Sequence, residues 1–276
     1  MMARWECGHC GFLAWADDRD AMREVTGSHL LAHAPEAVTR SDFRTNWDCP
    51  YCATAKTAYD ADGAVDEFKT HLHEHVADRI VDDAHVADRF DWNGTVRIDA
   101  PVDSDGADDL RAHFHGHADL VIAVTLDPER FVRLLDDRLD AWPRRTVVVS
   151  TEEYPFDDEA DIGVDDGAIE MVEIDPRLGP DELGETVSRI IDVNHAAGDV
   201  LSLEVSVFHE IVSSFDVQTA CAFVRMLSAR IDDAGGALQL YVDGDADPNV
   251  STVMNFLDDE VELAITPADG RFIRRS

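Results

Sequence analysis

The chain has 276 residues, 23 of them basic and 58 acidic, for a formal net charge of −35. Such acidity excludes binding to a phosphate backbone through bulk charge, because counterion release needs clustered Lys and Arg. Disorder is excluded too, since 45% of the residues are apolar and runs such as 121–124 and 147–149 can build a core.

Only Lys56 and Lys69 are lysines; every other basic residue is arginine. High acid, almost no lysine and an ordinary apolar content read as adaptation to a high-salt cytoplasm, where molar salt screens repulsion within about 3 Å. No run of about 18 apolar residues occurs, so no membrane span is expected. The N-terminus lacks the apolar stretch of a secretory leader, and a cytoplasmic protein is expected. In that reducing setting cysteines serve as ligands more readily than as disulfides.

The first elements in the chain are two copies of one pattern. Trp5-Glu6-Cys7-Gly8-His9-Cys10 and Trp47-Asp48-Cys49-Pro50-Tyr51-Cys52 lie 42 residues apart, and the same offset relates His29 to His71, His33 to His75 and Asp18 to Asp60. Both copies read Cys-x2-Cys-x18-His-x3-His. Two thiolates sit on a tight turn, and two imidazoles four apart lie on one face of a helix, one turn from each other. Met22, Val25 and Leu30, and then Phe68, Leu72 and Val76, supply the apolar stripe of each helix. Cys7, Cys10, His29 and His33, and then Cys49, Cys52, His71 and His75, each offer four ligands for a structural zinc with no open position. Two zinc ions per chain are expected, and a metal would stabilise modules too small for much of a core. The other readings are a single four-cysteine ribbon or no metal at all; the matched phasing of His with Cys favours two sites. Losing Cys49 or His75 is expected to unfold the second module alone. His9 and His73 are expected to face solvent.

These residues resemble the Cys2His2 zinc-finger family over about residues 5–36 and 47–80. The copies depart from the common DNA-reading finger, which has about 12 residues between its ligand pairs. Residues 34–48 form a long connector without a short basic linker. Regular tracking of base pairs is not implied.

From about Trp92 the pattern changes. Strands are expected at 95–99, 120–125, 146–150, 169–174, 200–207, 237–242 and 261–265. Helices are expected at 107–115, 128–141, 180–197, 217–234 and 249–257. Alternation of strands with helices of this length predicts an α/β domain with a mostly parallel sheet covered on both faces. Pro128 suits a first helical turn, and Gly235-Gly236 a helix stop. The expected domains are 1–92, with two zinc modules, and 93–276.

The run Leu120 to Thr125 followed by Asp127-Pro128-Glu129-Arg130 resembles a strand and helix of RecA/KaiC-like ATPase domains. Residues 198–206 resemble a Walker B strand, and 219–240 the helix and strand after it. The likeness is closest to degenerate haloarchaeal RecA-like domains. It implies a RecA-like fold over about 93–265. The phosphate-binding machinery is missing: no Gly-x4-Gly-Lys-Ser/Thr occurs, and residues 91–276 contain no lysine. Where a P-loop would lie, around 102–107, Asp103, Asp105, Asp108 and Asp109 crowd and would repel a triphosphate. Glu204 reads either as a relic of a magnesium-holding acid or as a polar strand residue. No catalysis is expected.

Weaker patterns read as structural. His113-x-His115-x-His117 reads as a solvated loop, Cys221 as a buried thiol, and Asp157-Asp158-Glu159 and Asp165-Asp166 as loops. Arg271, Arg274 and Arg275 form a small basic tail. Ser206, Ser213, Ser214 and His209-Glu210 have no catalytic context. The reading is a regulatory or adaptor protein binding protein or nucleic acid through its zinc modules, with a RecA-like paralogue as another conceivable partner; the alternative is a divergent nucleotide-binding switch or ATPase. Residues 1–90 hold 9 basic and 17 acidic residues and residues 91–276 hold 14 and 41, so the acidity belongs mostly to the second part.

Overall fold

A computed structural model of the protein describes residues 2–41, 43–152, 168–243, 248–268 and 270–274. The expected loops at Asp157-Asp158-Glu159 and Asp165-Asp166, and Arg275, lie outside the described residues. The chain divides into two compact units, Met1–His85 with Gly270–Arg274, and Val86–Asp269.

The first unit opens with β1 (Met2–Glu6), β2 (Leu13–Ala16), α1 (Arg19–His33) and β3 (Val38–Ser41). It continues with β4 (Arg44–Asp48), β5 (Ala55–Ala58), α2 (Ala61–Glu74) and β6 (Val81–Ala84). The 42-residue repeat holds element by element: β4 and β5 repeat β1 and β2 residue for residue, and α2 starts 42 residues after α1. Register repeats as well, with Trp5 opposite Ala14 and Trp47 opposite Lys56. Each helix begins at an aspartate whose carboxylate accepts orphan backbone N–H groups: Asp18 from Ala21 at 2.7 Å, and Asp60 from Asp62 at 3.2 Å. Both modules are thus a β-hairpin followed by a helix.

They are not independent. Trp5, Met22 and Leu30 of the first pack in one buried cluster with Trp47, Phe68 and Leu72 of the second. The helices touch where Gly27 meets Lys69: a Cβ at Gly27 would stand 2.6 Å from the Lys69 carbonyl oxygen. Lys69 Nζ reaches Glu24 at 2.7 Å beside this contact. His73 does not face solvent as expected; its Nδ1 lies 2.8 Å from Thr26 Oγ1 across the same contact. The shared core corrects the expectation that one module can unfold alone.

The second unit runs β7 (Gly94–Asp99), α3 (Asp105–His115), β8 (Leu120–Val124), α4 (Pro128–Arg138), β9 (Arg145–Ser150) and β10 (Ile169–Glu173). Then come α5 (Pro180–Asn194), β11 (Leu201–Val205), α6 (Phe208–Ser214), α7 (Val217–Ala234), β12 (Gly236–Val242), α8 (Pro248–Phe256) and β13 (Leu263–Pro267). Its seven strands pair in parallel in the order β10-β9-β8-β11-β12-β7-β13. Helices cover both faces, so the expected α/β architecture is present. Leu120, Ile122, Leu201, Leu203, Leu238 and Leu240 point to one side and pack on α5 to α8. Val121, Ala123 and Val148 point to the other and pack on Phe131, Val132 and Leu135 of α4. As expected, Pro128 opens α4, and Gly235, at φ +75°, ends α7 in the left-handed conformation. The short helix α6, directly after β11, was not expected.

The last strand among the described residues is β14 (Arg271–Arg274), which belongs to the first unit and pairs antiparallel with β2, Phe272 opposite Trp15. Arg271 and Arg274 of the expected tail are therefore strand residues. The first unit's larger sheet has the order β14-β2-β1-β6, and β3-β4-β5 form a second, three-stranded sheet.

Candidate metal centres

Each cysteine pair sits on the turn between two strands of its hairpin. The turns are closed alike: Cys7 N–H donates to the Phe12 carbonyl at 2.7 Å, and Cys49 N–H to the Thr54 carbonyl at 2.9 Å. Each histidine pair lies at the C-terminal end of the following helix. Cys7, Cys10, His29 and His33 bring one donor atom apiece to within 4.8 Å of one another, and Cys49, Cys52, His71 and His75 do the same. All eight residues singled out from the sequence thus gather into two sets. The cysteine pairs do not share a centre; each meets the histidines of its own module.

The close approaches run through Nε2. In the first set Cys7 Sγ lies 3.6 Å from His33 Nε2, Cys10 Sγ 3.3 Å from His29 Nε2, and the two Nε2 atoms are 3.0 Å apart. In the second, Cys49 Sγ lies 3.3 Å from His75 Nε2, Cys52 Sγ 3.3 Å from His71 Nε2, and the Nε2 atoms are 3.3 Å apart. Burial repeats as well: Cys7 and Cys49 are buried, Cys10 and Cys52 exposed, and the histidines half-buried. Trp5 braces His29 and Trp47 braces His71, at ring separations of 5.6 and 5.4 Å. His71 Nδ1 lies 3.4 Å from Glu74 Oε2, a second-layer carboxylate of the kind that orients a ligating imidazole.

The protonation tendencies suit ligation in part. Hydrogen bonds from Thr54, with smaller help from His71, bring the Cys52 thiol down to about 6. Burial pushes the Cys49 thiol up. Burial, and then the neighbouring His33, push His29 down, toward the neutral imidazole a metal needs. Either set could hold a metal ion.

The second unit carries a polar network that the sequence reading did not assemble. Glu204 on β11, 1% exposed, accepts from Arg111 Nε at 2.7 Å and from His115 Nε2 at 3.0 Å, both on α3. Arg111 also donates to Asp108 at 2.7 Å and lies over the Tyr241 ring, 4.4 Å from its centroid. One set of protons satisfies the rest: Tyr241 O–H donates to Gln239, Gln239 Nε2 to Ser202, Ser202 O–H to His115 Nδ1, and His115 Nε2–H to Glu204. Burial alone would push the Glu204 carboxyl up; the Arg111 charge and the bond from His115 outweigh it and hold it below the usual range. His115 is thus fully buried rather than in a solvated loop, and His113 accepts the Val86 N–H at 3.1 Å, so the His113-x-His115-x-His117 run does not converge. The available signal was the period-two polar face Ser202, Glu204, Ser206 within an apolar strand. Cys221 is a buried thiol, as expected. A pocket of about 260 Å³ opens beyond the carboxyl ends of β8 and β11, lined by Asp103, Arg111, Thr125, Asp127, Arg130 and Glu204 among others.

The molecule so described joins a parallel α/β unit to a unit carrying two closed Cys/His sets. Residues 94–263 match the model of the family described as "Family of unknown function (DUF7504)", and the chain belongs to that family. The match covers strands of the second unit and none of the eight Cys/His positions. No curated protein matches the chain. Among solved structures, the chain is similar to the protein of a "Structural study of Project ID PH0250" from Pyrococcus horikoshii OT3, with 14% identity, 64% of this chain and 82% of that one covered, and a TM-score of 0.42. It is also similar to an "uncharacterized protein PH0321 from Pyrococcus horikoshii in complex with an unknown peptide", with 14% identity, 63% and 77% covered, and a TM-score of 0.41. Among the described residues no helix is long and apolar enough to cross a membrane.

Proposed function

We propose that this is a non-catalytic regulatory or adaptor protein that holds one structural zinc in each Cys2His2 set and contacts protein or nucleic acid through the unit they stabilise. The observation that carries this is the closure of both sets. Bonds of about 2.0 Å to nitrogen and about 2.3 Å to sulfur give tetrahedral edges of about 3.3 Å between nitrogens and about 3.5 Å between nitrogen and sulfur. The Nε2 pairs at 3.0 and 3.3 Å and the sulfur–nitrogen approaches of 3.3 to 3.6 Å fit that cage. When bound, the zinc would cross-link hairpin to helix. Four protein ligands leave it no position for a water to be activated, so its role is to hold the fold.

The composition supports a high-salt setting. The second unit fits a RecA-like domain without nucleotide machinery: both Glu204 oxygens are engaged by Arg111 and His115. A second reading, a divergent nucleotide-binding switch, draws on the pocket beyond the strands' carboxyl ends, where open α/β sheets bind ligands. Asp103, Asp127 and Glu204 in its lining weigh against a triphosphate.

Elemental analysis of the purified chain tests the main reading. Two zinc ions per chain are expected, and Cys49→Ala or His75→Ala should lower the count to one. If either variant keeps two, the ligand assignment is wrong. Saturable binding and turnover of ATP with magnesium would replace the main reading with the second.

A further inference from the structure

Within the first unit a pocket of about 390 Å³ lies between the two cysteine turns, with residues of both modules in its wall. His9 and Tyr51 both line it, and they are equivalent in the 42-residue repeat, each the third residue of its Cys-x-x-Cys turn. Each ring leans on an equivalent imidazole: His9 on His33, 4.9 Å away at 83°, and Tyr51 on His75, 5.6 Å away at 56°. Both residues are exposed, so their remaining ring surface is open to a ligand.

Arg79 completes the wall. Arg19, Arg23, Lys56 and Lys69 of this unit each hold a carboxylate, whereas Arg4, Arg40, Arg44, Arg271 and Arg274 share with Arg79 the lack of an ion pair among the described residues. Arg79 makes no ion pair and no side-chain hydrogen bond among the described residues. Its guanidinium instead approaches the other module's turn, where a Cβ on Gly8 would stand 3.8 Å from Nη1. Zinc bound by two thiolates and two neutral imidazoles is itself uncharged, so the filled sites would leave this cation uncompensated.

Two planar rings with open surface beside one unpaired guanidinium suit a ligand with a flat ring and an anion. We infer that this pocket takes a nucleotide of a single-stranded nucleic acid, its base stacked on Tyr51 and His9 and its phosphate on Arg79. The inference rests on the zinc-dependent reading above and narrows its partner. A duplex keeps its base faces stacked inside, whereas a single strand offers them to aromatic side chains. An acidic peptide without aromatic side chains could pair with Arg79 but gives the two rings nothing to stack on. Stacking also outlasts the salt that screens a lone phosphate contact.

The test uses the full-length, zinc-loaded chain and fluorescence anisotropy with short labelled oligouridylate, oligothymidylate, a duplex of equal length and a polyglutamate peptide. The single strands should bind and the duplex should bind at least about tenfold more weakly. Tyr51→Ala and Arg79→Glu should each weaken single-strand binding by about tenfold or more with two zinc ions retained. Arg79→Ala should reduce the slope of log affinity against log salt by about 0.7. The assignment falls if a chain holding two zinc ions binds neither strand, if either variant binds the single strands as tightly as the unaltered chain does, or if only polyglutamate binds and Arg79→Glu abolishes it. A chain that holds fewer than two zinc ions overturns the metal reading and this assignment together.

Discussion

Arg111 and Glu204 form an ion pair with side chains only 2% and 1% exposed. Breaking such a pair leaves a charge without a partner in a low-dielectric site, which costs about 3–5 kcal/mol. Arg111→Met should therefore destabilise the second unit by about that amount, read as a lower denaturant midpoint. The pH dependence follows from the same pair. In the native chain the Glu204 carboxyl sits below its ordinary value, so its contribution is complete above about 4.3 and lost as pH falls below it. In Arg111→Met the buried carboxyl has lost its strongest partner and moves up instead, so that variant loses stability as pH rises. The stability gap between the two proteins should widen from pH 4 to pH 7; a gap that stays constant would show that Arg111 does not hold the Glu204 charge. Nothing in the local sequence announces this pair. Glu204 looks like a polar strand residue and Arg111 like a helix-surface cation, and they meet across 93 residues because the sheet order lays α3 over β11.

Gly27 decides how the two Cys/His modules relate. In an open helix interior, Gly→Ala stabilises by about 0.5–1 kcal/mol through the unfolded state. At Gly27 the new methyl would meet the Lys69 backbone at 2.6 Å, and backbone cannot swing aside as a flexible side-chain end can. Overpacking of this kind costs about 1–3 kcal/mol. Gly27→Ala should thus lower the melting temperature and speed zinc loss from both sites to a competing chelator; faster loss from one site alone would mean that the helices do not transmit the strain. The repeat itself was legible to the residue: Trp, Cys, His and the capping Asp recur at one offset, and the hairpins and helices recur with them. The shared core was not, because the apolar stripes of α1 and α2 show only that each helix buries a face. They do not say that Met22 and Leu30 share that interior with Phe68 and Leu72.

The order of elements along the chain does not match their partition in space. The first unit takes its fourth strand in the larger sheet from the C-terminus, where Phe272, 3% exposed, lies opposite Trp15. Removing a buried Phe ring costs about 3–5 kcal/mol. Phe272→Ala should therefore destabilise the first unit and hasten zinc release, although the residue lies more than 190 positions beyond His75; unchanged zinc retention would show that β14 adds nothing to that unit. The eight Cys/His positions and the alternation of strand and helix could be read from the chain because both rest on short-range geometry. A tight turn joins residues two or three apart, a helix aligns residues four apart, and a strand alternates at every residue. Pairing β14 with β2, seating Arg111 against Glu204 and placing Tyr51 and Arg79 beside His9 depend on which distant segments share an interior. Local periodicity carries no term for that choice; burial of apolar area and the pairing of buried charge make it only when the whole chain closes.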